Sequence, residues 1–237
     1  MSFSLWKGYR LENLIWAMQS ATGVVSAKMD SLTLSPRFLG LLKGYLSMEF
    51  DGILFKGSFH LDTGVSMIRG LSEGYARLKA LGISLDDLAI MNQIFQREIR
   101  GKLTGLAEFY GPLNEPEKIT GQTTILIEDG AVDTRLEALG LKTIPFERLS
   151  LPLTVRNGVA GIKDGQLAGP VLTGVLEGQI RLLQNLQVSP IQITASMRPG
   201  PSLTGEKGSN LPATGDKPFF IRLDGTIGKP LFSLGGG

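Results

Sequence analysis

The chain has 237 residues, of which 42% are apolar, 31 are Gly, 12 are Pro and none is Cys. That length suits one large all-β domain or two small ones. The apolar share can build a core, which excludes disorder over the whole chain, and the Gly residues follow no collagen period. Lys plus Arg number 24 against 22 Asp plus Glu, a net of +2 with a single His. This leaves no large field to gather nucleic acid or an anionic membrane, and no disulfide framework, thiol nucleophile, thiolate metal site or His-based metal centre.

No stretch approaches the roughly 18 to 20 apolar residues of a membrane span. Met1 to Lys7 also lacks the basic, apolar and small-residue sections of a signal peptide.

In chain order, the first predicted element is a helix over about 9–20. Leu11, Leu14, Ile15 and Met18 recur at i, i+3, i+4 and i+7, and Thr22-Gly23 supplies a stop. Asp51-Gly52 lies between Leu46–Phe50 and Ile53–Leu61 and predicts a type I′ hairpin. A second helix is expected over about 84–98. Ser84 caps it, Asp87 reaches back, Leu88, Met91 and Phe95 form a stripe, and Arg97, Arg100 and Gly101 suit its end. A third, short helix is read around Thr134 to Leu139.

Further turns are expected at Asp129-Gly130, Asn157-Gly158, Asp164-Gly165 and Asp224-Gly225. At Asp164-Gly165, Val159–Lys163 is expected to pair with Gln166–Val171. From Leu172 to Leu182 the residues Leu172, Gly174, Leu176, Gly178, Ile180 and Leu182 alternate with Thr173, Val175, Glu177, Gln179 and Arg181. Ile191, Ile193, Ala195 and Met197 alternate with polar residues in the same way, as do Leu151, Leu153 and Val155. These patterns predict antiparallel strands with one apolar and one wet face. The stretch 199–218 has four Pro and four Gly and reads as a mobile loop, followed by a last strand that begins with Phe219–Ile227 and ends at Pro230.

Leu61-Asp62-Thr63-Gly64 is the sharpest local match to an enzyme, the active-site loop of aspartic peptidases. That chemistry needs two aspartates sharing a proton. One copy is present, so a homodimer would have to supply the second, and the same residues suit a hairpin turn. Ser58, His60 and Asp62 share one strand face, but i and i+2 side chains lie about 7 Å apart and cannot form a hydrogen-bonded triad. His60 therefore reads as a surface residue. Thr204 to Ser209 has the wrong order for a phosphate loop. No catalytic residue, cofactor site or metal site is assigned.

The order of several segments resembles a known family. Leu14 to Val25 followed by Ser26 to Leu34 looks like the opening of AsmA-like envelope proteins. Ile144 to Leu149, Val155 to Val159, Gly165 to Gly169, Gly174 to Leu182, Ser189 to Ile193 and Ile221 to Pro230 continue the pattern. The succession is similar to the type II secretion system protein N family, whose end reads as an apolar strand, Gly-Thr-apolar, then Pro.

The resemblance implies a periplasmic β domain anchored to the bacterial inner membrane by one N-terminal span. It brings no catalytic residues. Because this chain lacks such a span, one is expected to precede it. Other type II secretion components and lipid are the implied partners.

The expected fold is mainly β, a single domain built as an elongated, curved antiparallel sheet forming an open groove, with two or three short helices. Leu172, Leu176, Ile180, Leu182, Ile191 and Ile193 are the candidate groove residues. The same alternation would arise if this face simply packed on the two helices. Two alternatives stand beside the secretion role: an AsmA-like lipid carrier not tied to secretion, and a homodimeric aspartic peptidase using Asp62-Thr63-Gly64.

Overall fold

A computed structural model describes residues 2–4, 8–20, 23–42, 44–68, 73–87, 98–112, 115–136, 141–200 and 218–235. The chain is mainly β, an open antiparallel sheet not closed into a barrel. Among the described residues 14 strands lie side by side in sequence order. They are β1 (Ser2–Ser4), β2 (Gly8–Ser20), β3 (Gly23–Arg37), β4 (Tyr45–Leu54), β5 (Gly57–Ser66), β6 (Glu73–Ser84) and β7 (Ile99–Pro112). After these come β8 (Thr120–Leu136), β9 (Leu141–Arg156), β10 (Val159–Ala168), β11 (Leu172–Arg181), β12 (Ile191–Pro199), β13 (Phe219–Thr226) and β14 (Lys229–Gly235). One helical turn, α1 (Leu39–Leu42), joins β3 to β4.

Nearest-neighbour order follows from the connections. Many of them are tight hairpins, which force each strand to reverse beside the last. Asn157-Gly158 is such a turn: Arg156 pairs with Val159, and both central residues have positive φ, 48° and 72°. That is the type I′ geometry expected of Asn-Gly.

The Asp-Gly pairs behave differently from expectation. Asp51-Gly52 lies inside β4, and the hairpin is made by Phe55-Lys56, with Leu54 opposite Gly57 and φ of 49° and 65°. Two side chains outside the usual turn set hold this conformation because neighbours fix it. Ser84 N–H donates to Phe55 O at 3.0 Å, and Lys56 Nζ pairs with Asp87 at 3.0 Å.

Asp164-Gly165 sits within β10 as a bulge, where the register to both β9 and β11 shifts and Asp164 has φ 57°. Val159 to Ile162 therefore pair with Arg181 to Gly178 rather than with the residues just after Gly165. Asp129-Gly130 likewise lies at a register shift between β7 and β8, and Asp224-Gly225 is inside β13. An αL residue followed by Gly serves a bulge as readily as a turn, so local sequence alone did not separate the two.

The helix expected over 9–20 is strand β2, paired with β3 from Tyr9 to Ser20. No single helical stripe exists there, because Leu11 and Leu14 are half-buried whereas Ile15 is 75% exposed. Thr134 to Leu136, assigned to a short helix, finish β8. Of the helix expected over 84–98, Ser84 ends β6, and residues 88–97 lie outside the described residues. The Lys56 ammonium, and then the Ser84 hydroxyl, hold the Asp87 carboxyl below its usual range. Of the loop 199–218, Pro199 ends β12, and residues 201–217 lie outside the described residues.

The two faces of the sheet are distinct. Following directly paired residues from β2 to β14 gives Tyr9, Leu34, Phe50, Leu61, Leu78 and Ala107. The row continues through Thr123, Leu153, Ile162, Gly178, Ile193, Leu223 and Phe232. Directly opposed residues project to the same side, so this rung is nearly apolar over its whole length.

The neighbouring rung, on the other face, runs Glu49, Asp62, Arg77, Glu108, Gln122 and Thr154, then Gly161, Gln179 and Gln192. Buried apolar residues concentrate in two clusters. Ile144, Leu172, Ala195, Met197, Phe219 and Ile221 make one, and Leu85, Ile127 and Phe146 make the other.

Candidate functional site

The predicted groove residues are brought together on β11 and β12. Ile180 pairs with Ile191, Gly178 with Ile193 and Leu176 with Ala195, so these residues share the apolar face. Leu172 has no exposed surface and belongs to the larger core cluster, against which Leu176 packs. Ile191 is buried, while Ile180 and Ile193 are half-buried. Leu182 falls just past β11, its N–H bonded to Gly158 O at 2.7 Å.

The glycines between the large residues have a packing reason. A Cβ at Gly174 would lie 2.4 Å from Met197 Sδ, and one at Gly178 would lie 2.2 Å from Gln192 O. They let β12 approach β11 closely.

Elsewhere on this face Leu61, Leu153, Leu223 and Phe232 are half-buried and Leu78 is exposed. Among the described residues there is one sheet and no helix longer than α1, so the face has no second layer there. The helical stripe expected to fill part of it, Leu88, Met91 and Phe95, lies outside the described residues.

The opposite face holds a network that the sequence reading did not assemble. Asp62, expected in a turn, sits mid-strand in β5 with its side chain almost wholly buried. The Tyr75 hydroxyl donates to Asp62 Oδ1 at 3.1 Å, and the Arg37 and Arg77 guanidiniums each stand 3.8 Å from Oδ2. Glu49, directly opposite Asp62 on β4, would repel it, but Arg37 also contacts Glu49 and bridges the two carboxylates.

Arg77 extends the ladder. It pairs with Glu108 at 3.8 Å, donates to the Tyr110 hydroxyl at 3.3 Å and lies over the Tyr75 ring at 5.2 Å. Burial pushes the Tyr75 hydroxyl above its ordinary value, and Asp62 adds to that shift, whereas a bond to Ser47 opposes it. His60 is bound to Asp51 at 2.7 Å.

A carboxylate flanked by two guanidiniums and a phenol is arranged as a structural ion pair. The sequence signal that pointed here was Asp62; its Arg partners, on β3 and β6, are set by register and could not be read locally.

Over this polar face a trough of about 860 Å³ crosses β5 to β10, with Arg77, Lys79, Glu108, Thr154, Arg156 and Lys163 along it. Among the described residues no group of His, Asp and Glu is placed to hold a metal ion. No described helix is long and apolar enough to cross a membrane. Comparison with protein-family models, with curated proteins and with solved structures yields no match to this chain.

Proposed function

We propose that the chain acts by binding rather than catalysis, as the periplasmic part of a non-enzymatic accessory component of bacterial type II secretion anchored to the inner membrane. Its apolar sheet face takes lipid acyl chains. The observation that carries the binding role is the apolar rung from Tyr9 to Phe232, half-buried along much of its length and lacking a second layer among the described residues. Laid flat at about 4.8 Å per strand, such a rung runs for roughly 60 Å. It offers methyl and methylene groups and few hydrogen-bonding side chains, which matches an acyl chain better than a peptide. The secretion role rests on the sequence resemblance alone.

Leu176→Asp and Ile180→Asp test the binding role, through native mass spectrometry of protein taken from membranes and displacement of a fluorescent fatty acid. Lipid adducts on the wild type, lost in both variants while far-UV circular dichroism is unchanged, are expected. A wild type that carries no lipid and binds no fatty acid, or variants that unfold, would make this face closed core. Deleting the gene separates the secretion role from a lipid carrier not tied to secretion, since only the former predicts exoproteins retained in the periplasm.

A further inference from the structure

The polar trough over β5 to β10 carries charges that the sheet itself does not use. Its two carboxylates are both answered by arginine, Asp62 by Arg37 and Arg77, and Glu108 by Arg77. Its other cations, Lys79, Arg156 and Lys163, are exposed, and among the described residues none of the three forms an ion pair.

Acidic residues also stand around the trough. Glu49 is held by Arg37, and Asp51 by His60. Asp164, next in the chain, and Glu177, across the β10 bulge, flank Lys163, so the unanswered charge rests on Lys79 and Arg156. The Glu117 backbone packs on Gly158, and its side chain is outside the lining. Glu73 and Glu128 lie farther along β6 and β8, four residues from Arg77 and Thr124.

The floor between the two cations mixes two kinds of group. Gln122, Thr124 and Thr154 supply an amide and hydroxyls, while Pro152 and Leu106, the latter 56% exposed, supply aliphatic surface. The backbone of β6 to β9 is paired on both sides, so a strand-forming peptide finds no free ladder there. At the β5–β6 end a second hollow of about 680 Å³ shares Asp62 and Arg77 with the trough and is lined by Tyr45, Tyr75 and Tyr110. Rings, aliphatic patches and hydroxyls side by side suit sugar units, which have apolar C–H faces and a rim of hydroxyls.

We propose that this trough binds an acidic polysaccharide, a chain of sugars bearing carboxylates. Lys79 and Arg156 are three strands and four residues apart, roughly 20 Å. One small anion cannot reach both, whereas a chain with repeated carboxylates can. Nucleic acid fits less well. Across the trough, roughly 24 Å, one of its strands would bring about seven phosphates, far more than the cations present. The trough lies on the face opposite the acyl-binding rung, and each role can fail without the other.

Fluorescence anisotropy of a labelled oligogalacturonate mixed with the full chain at low ionic strength tests it. The wild type should bind this probe and not a labelled maltooligosaccharide of the same length. Lys79→Gln combined with Arg156→Gln should weaken binding about tenfold. Arg198→Gln combined with Arg222→Gln makes the same change of net charge on the same face, outside the trough, and should bind as the wild type does. All four sites are exposed, so circular dichroism should be unchanged. A wild type that leaves the oligogalacturonate unbound would overturn the proposal, as would equal weakening by the two double variants. So would polyglutamate or polyuridylate binding as tightly, because the trough would then hold polyanions without regard to sugar.

Discussion

Leu172 and Leu176 lie on the same strand and the same face four residues apart, yet their surroundings differ. Leu172 has no exposed surface and sits among Ile144, Met197 and Phe219, whereas Leu176 is half-buried at the margin of that cluster. Truncating a fully enclosed leucine to alanine removes its transfer free energy and leaves a cavity, a loss of about 3 kcal/mol. At a half-open site the neighbours and water fill the gap, and the loss falls to roughly 1 kcal/mol. Hydrogen exchange of the β11 and β12 amides, followed by mass spectrometry, reads these as faster opening. Leu172→Ala should accelerate exchange by about 10²-fold and Leu176→Ala by about 5-fold, from the exponential dependence of opening on free energy. Equal acceleration by the two variants would refute the division of this face into an enclosed part and an open part. So would a Leu172→Ala chain that exchanges like the wild type.

Three other outcomes follow from the polar face and the turns. Asp62→Ala should destabilise the sheet by about 1 to 2 kcal/mol in urea titrations and Asp62→Asn by less, because the amide still accepts from the Tyr75 hydroxyl. Acid peptide cleavage inhibited by pepstatin and abolished by Asp62→Ala would instead restore the peptidase reading. Tyr75 has a folded-state value above 10.0, so its contribution is fully present below that pH and is lost as pH rises through the folded value. Titrations of stability across this range should show a decline in the wild type that Tyr75→Phe lessens, and identical pH slopes would contradict it. Gly158→Ala places a Cβ 2.4 Å from Glu117 Cα at φ +72° and should cost about 2 kcal/mol, read as a lower urea midpoint at unchanged slope. No change in the midpoint would remove the turn assignment.

What the sequence conveyed depended on whether a pattern was local. Period-two alternation marked the strands from Leu151 onward, because a half-buried face imposes it directly on neighbouring residues. It also placed Ile180 with Ile191 and Gly178 with Ile193 on one face, where their pairing puts them.

Turn chemistry was less decisive. Asn157-Gly158 is a hairpin, but Asp164-Gly165 and Asp129-Gly130 meet the same backbone demand within bulged strands, while Phe55-Lys56 turns under tertiary constraint. The helix read at the N-terminus failed because apolar spacing in a short window does not distinguish a helix from a strand pinned by its neighbours. The Arg37–Asp62–Arg77 cluster depends on registers between β3, β5 and β6, information that exists only after the sheet has formed.

The nearest-neighbour order of the strands bears on how the protein folds and comes apart. The strands pair only with their sequence neighbours, so most loop closures are short, the β6–β7 and β12–β13 connections being the long ones, and contact order is low for an all-β chain. Assembly can then proceed as a zipper, hairpin by hairpin, with stability approximated by a sum of strand terms and neighbour terms, as in repeat arrays. Such a chain frays from its margins inward. Among the described strands β1 and β14 each have a neighbour on one side only and should open at the lowest cost, while β8 and β9, among the longest strands and flanked on both sides, should hold out longest. The same arithmetic makes length adjustable: adding or removing a terminal hairpin changes the span of the sheet without disturbing the pairings that remain.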